Sequence, residues 1–280
     1  MIQKALIAVK GSSEAPRLAR ATALLCPRPA TVDVVHVVED EGSDGYLRGR
    51  DIGTEVLDHL RARGIDAGLH VLAGLGDPVP ERLAREVRER GAELIVMGSR
   101  GLGRLSSLLH GSVSHALLAR SGAAALVVPD RATLPHERVD RALVAVGDDR
   151  DMDSVALALL ALPARPQLVV VHVRHLVAAH AGHIEVPETS THLLESACMK
   201  LHRLGFAVKA SQLSTHGQVA VGVALSAREA GADLVVVASR RPGDWTGLIN
   251  GSVGHDLLHH ADRMVLMAPV HPGAGQGEPR

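Results

Sequence analysis

The stretch Leu94-Ile-Val-Met-Gly-Ser-Arg-Gly-Leu-Gly-Arg-Leu-Ser-Ser-Leu-Leu-His-Gly-Ser-Val113 runs from an apolar segment through a glycine-rich loop into a helical pattern. Residues 94–97 read as a short buried strand. After Gly111-Ser112, the order Val113, His115, Ala116, Leu117, Leu118 reads as the start of a helix. Glycines let backbone amides approach a ligand with no Cβ in the way. The free amides and the dipole of a helix start favour an anion, above all phosphate. Strand, glycine loop and helix start together predict an α/β fold with a nucleotide site at this loop. The plainer alternative is a turn that only joins strand to helix.

Working outward from this stretch, the chain repeats itself. Gly91-Ala-Glu-Leu-Ile-Val-Met-Gly-Ser-Arg100 is matched by Gly231-Ala-Asp-Leu-Val-Val-Val-Ala-Ser-Arg240, and Gly111-Ser-Val-Ser-His115 by Gly251-Ser-Val-Gly-His255. Lys4-Ala-Leu-Ile-Ala-Val9 matches Arg141-Ala-Leu-Val-Ala-Val146, and Val35-His-Val37 matches Val171-His-Val173. A period of roughly 140 residues is too long for a solenoid and signals two copies of one domain. The expected domains are 1–130 and 139–270, with 271–280 as a flexible Gly- and Pro-rich tail.

Within the first copy strands are expected over 5–9, 32–38, 66–72, 94–97 and 124–128, and helices over 14–25, 48–63, 78–90 and after Gly111. Ser12 or Ser13 is a plausible N-cap, and 39–45 reads as an acidic, glycine-containing loop. The second copy repeats the order, with strands over 142–146, 168–173, 208–213, 234–238 and 263–268. Its helices are expected over 154–162, 191–204, 218–230 and 252–260. Near-continuous apolar strands alternating with helices predict parallel sheets covered on both faces. Right-handed crossovers then lead to two tandem Rossmann-like, flavodoxin-related domains of five strands each. Such sheets bind ligands at the carboxyl ends of the strands, where the loop after Met97 lies.

Composition removes several classes. Among 280 residues, 46% are hydrophobic, so the chain has enough apolar material for a core. Aromatics are 1%, too few for single-stranded nucleic-acid binding through stacked bases. A formal net charge of −1 gives no global field toward nucleic acid or a membrane. No apolar run has the length of a membrane-spanning helix, and no signal-peptide pattern opens the chain. Cys26 and Cys198 do not form a disulfide framework. A cytoplasmic protein with neither nucleic-acid nor membrane partners is expected.

The pattern Gly98-x2-Gly101-x9-Gly111-Ser112 resembles the nucleotide-binding signature of the universal stress protein family. The resemblance implies a stress-response protein that binds ATP or AMP, with or without Mg2+, as a regulatory or structural ligand. It places Val37 at the adenine and Gly11 and Ser12 near the ribose. Gly98, Arg100 and Gly101 would wrap phosphate, and Gly111, Ser112 and Val113 would supply helix-start amides and a hydroxyl. Arg100 also has a direct physical reason, since guanidinium matches phosphate oxygens. The family's first strand usually ends in Asp, where this chain has Lys10. That acid would contact the sugar or a metal-linked polar network. Lys10 either neutralises phosphate instead or is a solvated residue that leaves affinity weaker.

The second copy has lost the first two glycines of the signature, which are Ala238 and Arg241, while Gly251-Ser252 survives. A degenerate second site follows, and the two copies are expected to pair through 124–128 and 264–268 as an internal pseudo-dimer. Both a monomer of this kind and a homodimer of tandem chains fit. Neither a catalytic nor a metal site is assigned. The 17 histidines include His255-x3-His259 and a group at His172, His175, His180 and His183, but no HExxH motif or CxxC pair accompanies them. His36 and His172 recur at one repeat position and read as hydrogen-bonded strand-end residues. A slow adenine-nucleotide hydrolase and a nucleotide-free interaction or carrier protein are the rival functions.

Overall fold

The structure is a computed structural model that describes residues 1–26, 30–38, 42–74, 76–99, 117, 120–175, 188–239 and 253–269. Its first half contains β1 (Lys4–Ala8), α1 (Ala15–Leu25), β2 (Thr31–Val38), α2 (Ser43–Arg61), β3 (Ala67–Ala73), α3 (Val79–Arg90), β4 (Leu94–Gly98) and β5 (Ala124–Val128). The second half follows with β6 (Arg141–Ala145), α4 (Met152–Leu160), β7 (Gln167–His175), α5 (Glu188–Arg203), β8 (Val208–Thr215), α6 (Val219–Glu229), β9 (Leu234–Ser239), α7 (Val253–His260) and β10 (Met264–Pro269). The expected helix after Gly111 and the tail 271–280 lie outside the described residues.

All ten strands form one sheet in the order β3-β2-β1-β4-β5-β10-β9-β6-β7-β8. Each half is parallel and doubly wound, the class the alternation of elements predicts. The halves meet where β5 and β10 pair antiparallel, with Leu126 opposite Leu266. That contact removes the edge each half would otherwise expose. The central strands are apolar and buried throughout: Leu6, Ile7, Ile95, Leu126 and Leu143 are inaccessible, as expected of strands covered on both faces. One core cluster runs under α1, α2, α4 and α5, and the other lies on the opposite face under α3, α6 and α7.

The largest difference from the sequence reading is α2. It begins at Ser43, inside the stretch expected to be a loop. Gly45 falls in the stretch read as a loop, yet it is buried in the helix with Gly49 and Gly53, which lie against the sheet. A Cβ at Gly49 would stand 2.6 Å from His36 Cδ2, and one at Gly53 would collide with Leu69. Close approach of helix to sheet outweighs the helix propensity that glycine lacks.

The linker is held by α1. Arg17 Nη2 donates to the carbonyls of Pro129 and Ala132, and Arg20 Nη2 to those of Leu134 and Pro135. Leu134 packs against the core beneath it. On its other side Arg131 donates to the carbonyls of His259 and Ala261, and Thr133 N donates to Asp262 O.

Candidate functional site

In the first half, strand order reverses between β1 and β4, where chain connections leave in opposite directions and open a crevice. The turn from β1 into α1 and the end of β4 meet there. His36 fixes the near wall: its Nδ1 lies 3.0 Å from Val9 O, so the nitrogen carries the proton and donates to the carbonyl. His172 makes the same bond to Val146 O at 2.8 Å in the second half. These are the strand-end hydrogen bonds expected from the repeat.

Lys10 is exposed, and Gly11 heads a short 3-10 turn, Ser12–Glu14, that leads into α1. Ser12 and Ser13 therefore lie within the turn and do not cap the helix. The capping acceptor is Glu14. Its Oε1 accepts from Lys10 N at 2.6 Å and from Gly11 N at 3.3 Å. Glu14 is only 7% exposed, one of few buried charged residues described. A buried carboxylate keeps its charge at low cost only when hydrogen bonds replace its water, and these two amides do that.

Glu14 is the residue that the sequence reading missed. Its carboxylate, four positions after Lys10, lies against the amides at the end of β1. The signal was present in hindsight: one turn of helix returns a residue at position 14 over the turn that precedes it.

Gly98 ends β4 opposite Val128 and is buried. A Cβ there would collide with Glu14 Oε2. A side chain at this position would force the Glu14 carboxylate to move. A Cβ at Gly11, by contrast, would meet nothing within 4 Å, so the turn faces open space. Val37 is half-buried in β2 opposite Leu72. The structure thus brings Gly11, Ser12 and Gly98 to neighbouring strand ends, with Val37 near the end of the next strand. Arg100, Gly101, Gly111, Ser112 and Val113 lie outside the described residues.

The second half builds the same corner with different groups. Gly147-Asp148 replaces Lys10-Gly11, and the turn is Asp149–Asp151, with Asp151 7% exposed at the place of Glu14. Ala238 pairs with Ala268 on β10 as Gly98 pairs with Val128 on β5. This half thus carries an acid one methylene shorter than Glu14, and Ala in place of Gly98. Arg150 closes over this corner by donating to both carboxylate oxygens of Asp148, at 2.7–3.2 Å.

Among the described residues no group of three or more His, Cys, Asp or Glu side chains is placed to hold a metal ion. Cys26, at the end of α1, is buried, and burial, with a smaller contribution from the Glu93 carboxylate, pushes its thiol up to about 12. It is an inert core thiol. Burial also raises the Cys198 thiol.

A doubly wound parallel sheet with a glycine-bearing crevice at its switch point defines the α/β class that binds small ligands at strand carboxyl ends. The family model described as "Universal stress protein family" matches residues 1–129 and again 138–269. The chain belongs to the universal stress protein family and carries its domain twice. It is 30% identical over 242 residues to universal stress proteins of Mycobacterium tuberculosis and Mycobacterium bovis, covering 82% of this chain and 77% of each relative. A universal stress protein from Archaeoglobus fulgidus shares the fold with a TM-score of 0.66 at 19% identity, over 96% of this chain and 97% of that one. A putative universal stress protein from Pseudomonas aeruginosa gives a TM-score of 0.61 at 15% identity, over 95% and 93% of the two chains.

Proposed function

We propose that this is a stress-response protein that binds an adenine nucleotide, ATP or AMP, in its first half as a regulatory or structural ligand. The second half is a degenerate partner that completes an internal pseudo-dimer. The observation that carries the reading is the corner formed by Gly11, Ser12, Glu14 and Gly98 at the switch point. The signature continues from it through Gly101, which only this half has, to Gly111-Ser112, which Gly251-Ser252 matches in the other.

The described residues fit the sugar end of a nucleotide better than its phosphates. The two amides of the β1–α1 turn are already bonded to Glu14, which leaves a carboxylate as the acceptor at this corner. A ribose hydroxyl donates to such a group, whereas phosphate is repelled by it. Glu14 then fills the role the family's acid plays, and Lys10 stays in solvent. Val37 lies along the adenine. Phosphate falls to Arg100, Gly101 and the amides of Gly111, Ser112 and Val113, with Mg2+ able to shield it from Glu14. No residue is assigned to catalysis, and the nucleotide acts by being bound.

No helix among the described residues is long and apolar enough to cross a membrane. We place the protein in the cytoplasm, without a nucleic-acid or membrane partner. The antiparallel β5–β10 pairing supports a monomer whose halves take the place of two subunits.

The test is to denature purified protein and identify released small molecules by mass spectrometry, with Gly111→Val and Gly251→Val beside the natural chain. ATP or AMP near one per chain, lost only in Gly111→Val, is the expected result. Release of nothing, together with no heat on titration with ATP and magnesium, overturns the reading in favour of a nucleotide-free interaction or carrier protein.

A further inference from the structure

Between α3 and the outer strands of the first half runs a chain of charged side chains. Asp33 of β2 reaches His70 of β3, the edge strand, with Oδ1 2.9 Å from His70 Nε2. The same ring nitrogen lies 2.9 Å from Nη1 of Arg90, the last residue of α3. Arg90 Nε donates to Glu86 Oε2 at 2.9 Å, and the other Glu86 oxygen pairs with Arg82 Nη2 at 2.9 Å. Lys4 Nζ, at the start of β1, stands 4.0 Å from Asp33 Oδ2. The Glu86 side chain is 4% exposed and that of His70 32%, so water reaches the ring. On the other face of β3, Leu69 and Val71 meet Gly53 and Gly49 of α2.

One nitrogen cannot serve both neighbours. Nε2 holds either a lone pair, which accepts from Arg90, or a proton, which it donates to Asp33. With the ring neutral and its proton on Nδ1, Arg90 has its acceptor and the Asp33 oxygen faces a lone pair. With the ring protonated, Asp33 gains a charge-assisted bond and Arg90 faces a second cation. Arg90 then has a place to go: its Nη1 is 3.7 Å from Asp33 Oδ1, while its Nε keeps Glu86. Imidazole is the side chain that changes charge between about pH 5 and 8. A single proton therefore exchanges the two arrangements.

We propose that His70 is a pH-sensitive latch: neutral, it accepts Arg90 and fastens the end of α3 to the edge strand; protonated, it turns to Asp33 and lets Arg90 go. The second half has the same helix end without the latch. His36 matches His172, so Asp33 matches Val169, and the strand pairs Val35–His70 and Val171–Ser211 match His70 with Ser211. The step of 140 from Gly91 to Gly231 puts Gly222, Ser226 and Ala230 at the places of Arg82, Glu86 and Arg90. There Arg141, the counterpart of Lys4, donates through Nη1 to Ala230 O at 2.6 Å. A guanidinium on a carbonyl does not titrate. The end of α6 is therefore fastened to β6 whatever the pH, and the end of α3 to β3 only while His70 is neutral. The proposal does not depend on nucleotide binding.

The test compares the full chain at about pH 8 and about pH 5. Imidazole nitrogen NMR should show His70 Nε2 without a proton at the higher pH and with one at the lower. Hydrogen exchange, corrected for its intrinsic rate, should show the protection of the last turn of α3 falling several-fold between the two, while the last turn of α6 stays level. His70→Gln offers Arg90 a carbonyl and Asp33 an amide without titrating, and should keep α3 level as well. A proton state at Nε2 that is the same at both pH values overturns the proposal. So does protection of α3 that stays level in the natural chain, or that falls equally in α6 or in His70→Gln. If the variant does not fold, the comparison of α3 with α6 in the natural chain still decides.

Discussion

The first and second halves share a fold and differ at one corner. In the first, Glu14 reaches over the β1–α1 turn and Gly98 makes room for it. In the second, the shorter Asp151 stands at the place of Glu14 and Ala238 at the place of Gly98. Read without the structure, Ala238 is simply a lost nucleotide glycine. In the structure Ala238 stands at the place of Gly98, and the buried acid of its half, Asp151, is one methylene shorter than Glu14. The comparison teaches that the glycine at the end of β4 borders the protein's own carboxylate, so its lack of a Cβ has an internal reason.

The largest expected asymmetry is alkaline stability. Cys26 closes α1 in the first half, and Pro163 stands at the matching place in the second. The Cys26 thiol has a folded value raised from 9.0 to about 12. Its contribution is fully present below pH 9 and is lost as pH rises toward 12, because only the unfolded chain then releases the proton. The loss amounts to about 4 kcal/mol. Urea unfolding of the natural chain and Cys26→Ala across this range should show their stability difference shrinking by that order. A constant difference would mean that the thiol ionises without unfolding the first half.

Next in size is the corner itself. Gly98→Ala should cost about 1–3 kcal/mol by overpacking against Glu14. Glu14→Asp in the same chain should recover most of it, since that builds the second half's combination of residues. Chemical denaturation of the single and double variants measures the coupling. Additive effects would break the pairing of positions 14 and 98.

Nucleotide binding sharpens the comparison further. Glu14→Gln should weaken ATP or AMP binding by about 1.5–3 kcal/mol, the worth of a hydrogen bond to a charged group, and Lys10→Ala should change it little. Titration calorimetry checks both. Tighter binding in Glu14→Gln would show that phosphate, not ribose, faces the carboxylate. Smallest is the linker: Arg17→Ala should cost about 1 kcal/mol. Ser154→Ala at the matching place on α4 should be near neutral in the same thermal-melt comparison.

Much of the fold was legible because its signals are local. Apolar runs such as 94–97 and 234–238, separated by helices, can only be buried parallel strands, and their recurrence revealed two copies. The site was legible in part. The strand-end histidines were readable as such, but Lys10 drew attention away from Glu14, whose carboxylate holds the amides of Lys10 and Gly11. A Glu near a helix start is ordinarily a solvated residue, so its one signal was its place one turn after the strand end. Gly45 misled for a related reason: loop and close-packed helix use the same residue.

By itself, then, the sequence determined the class of fold and its doubling, because periodicity and recurrence are properties of neighbours along the chain. Only the tertiary structure decided which carboxylate holds the amides at the end of β1 and that Gly98 borders it, while the β5–β10 pairing expected from the repeat makes one sheet of ten strands. Those outcomes depend on contacts between segments distant along the chain or folded back over a turn. Their energies are set by steric fit and by the desolvation of a buried charge, which no local pattern records.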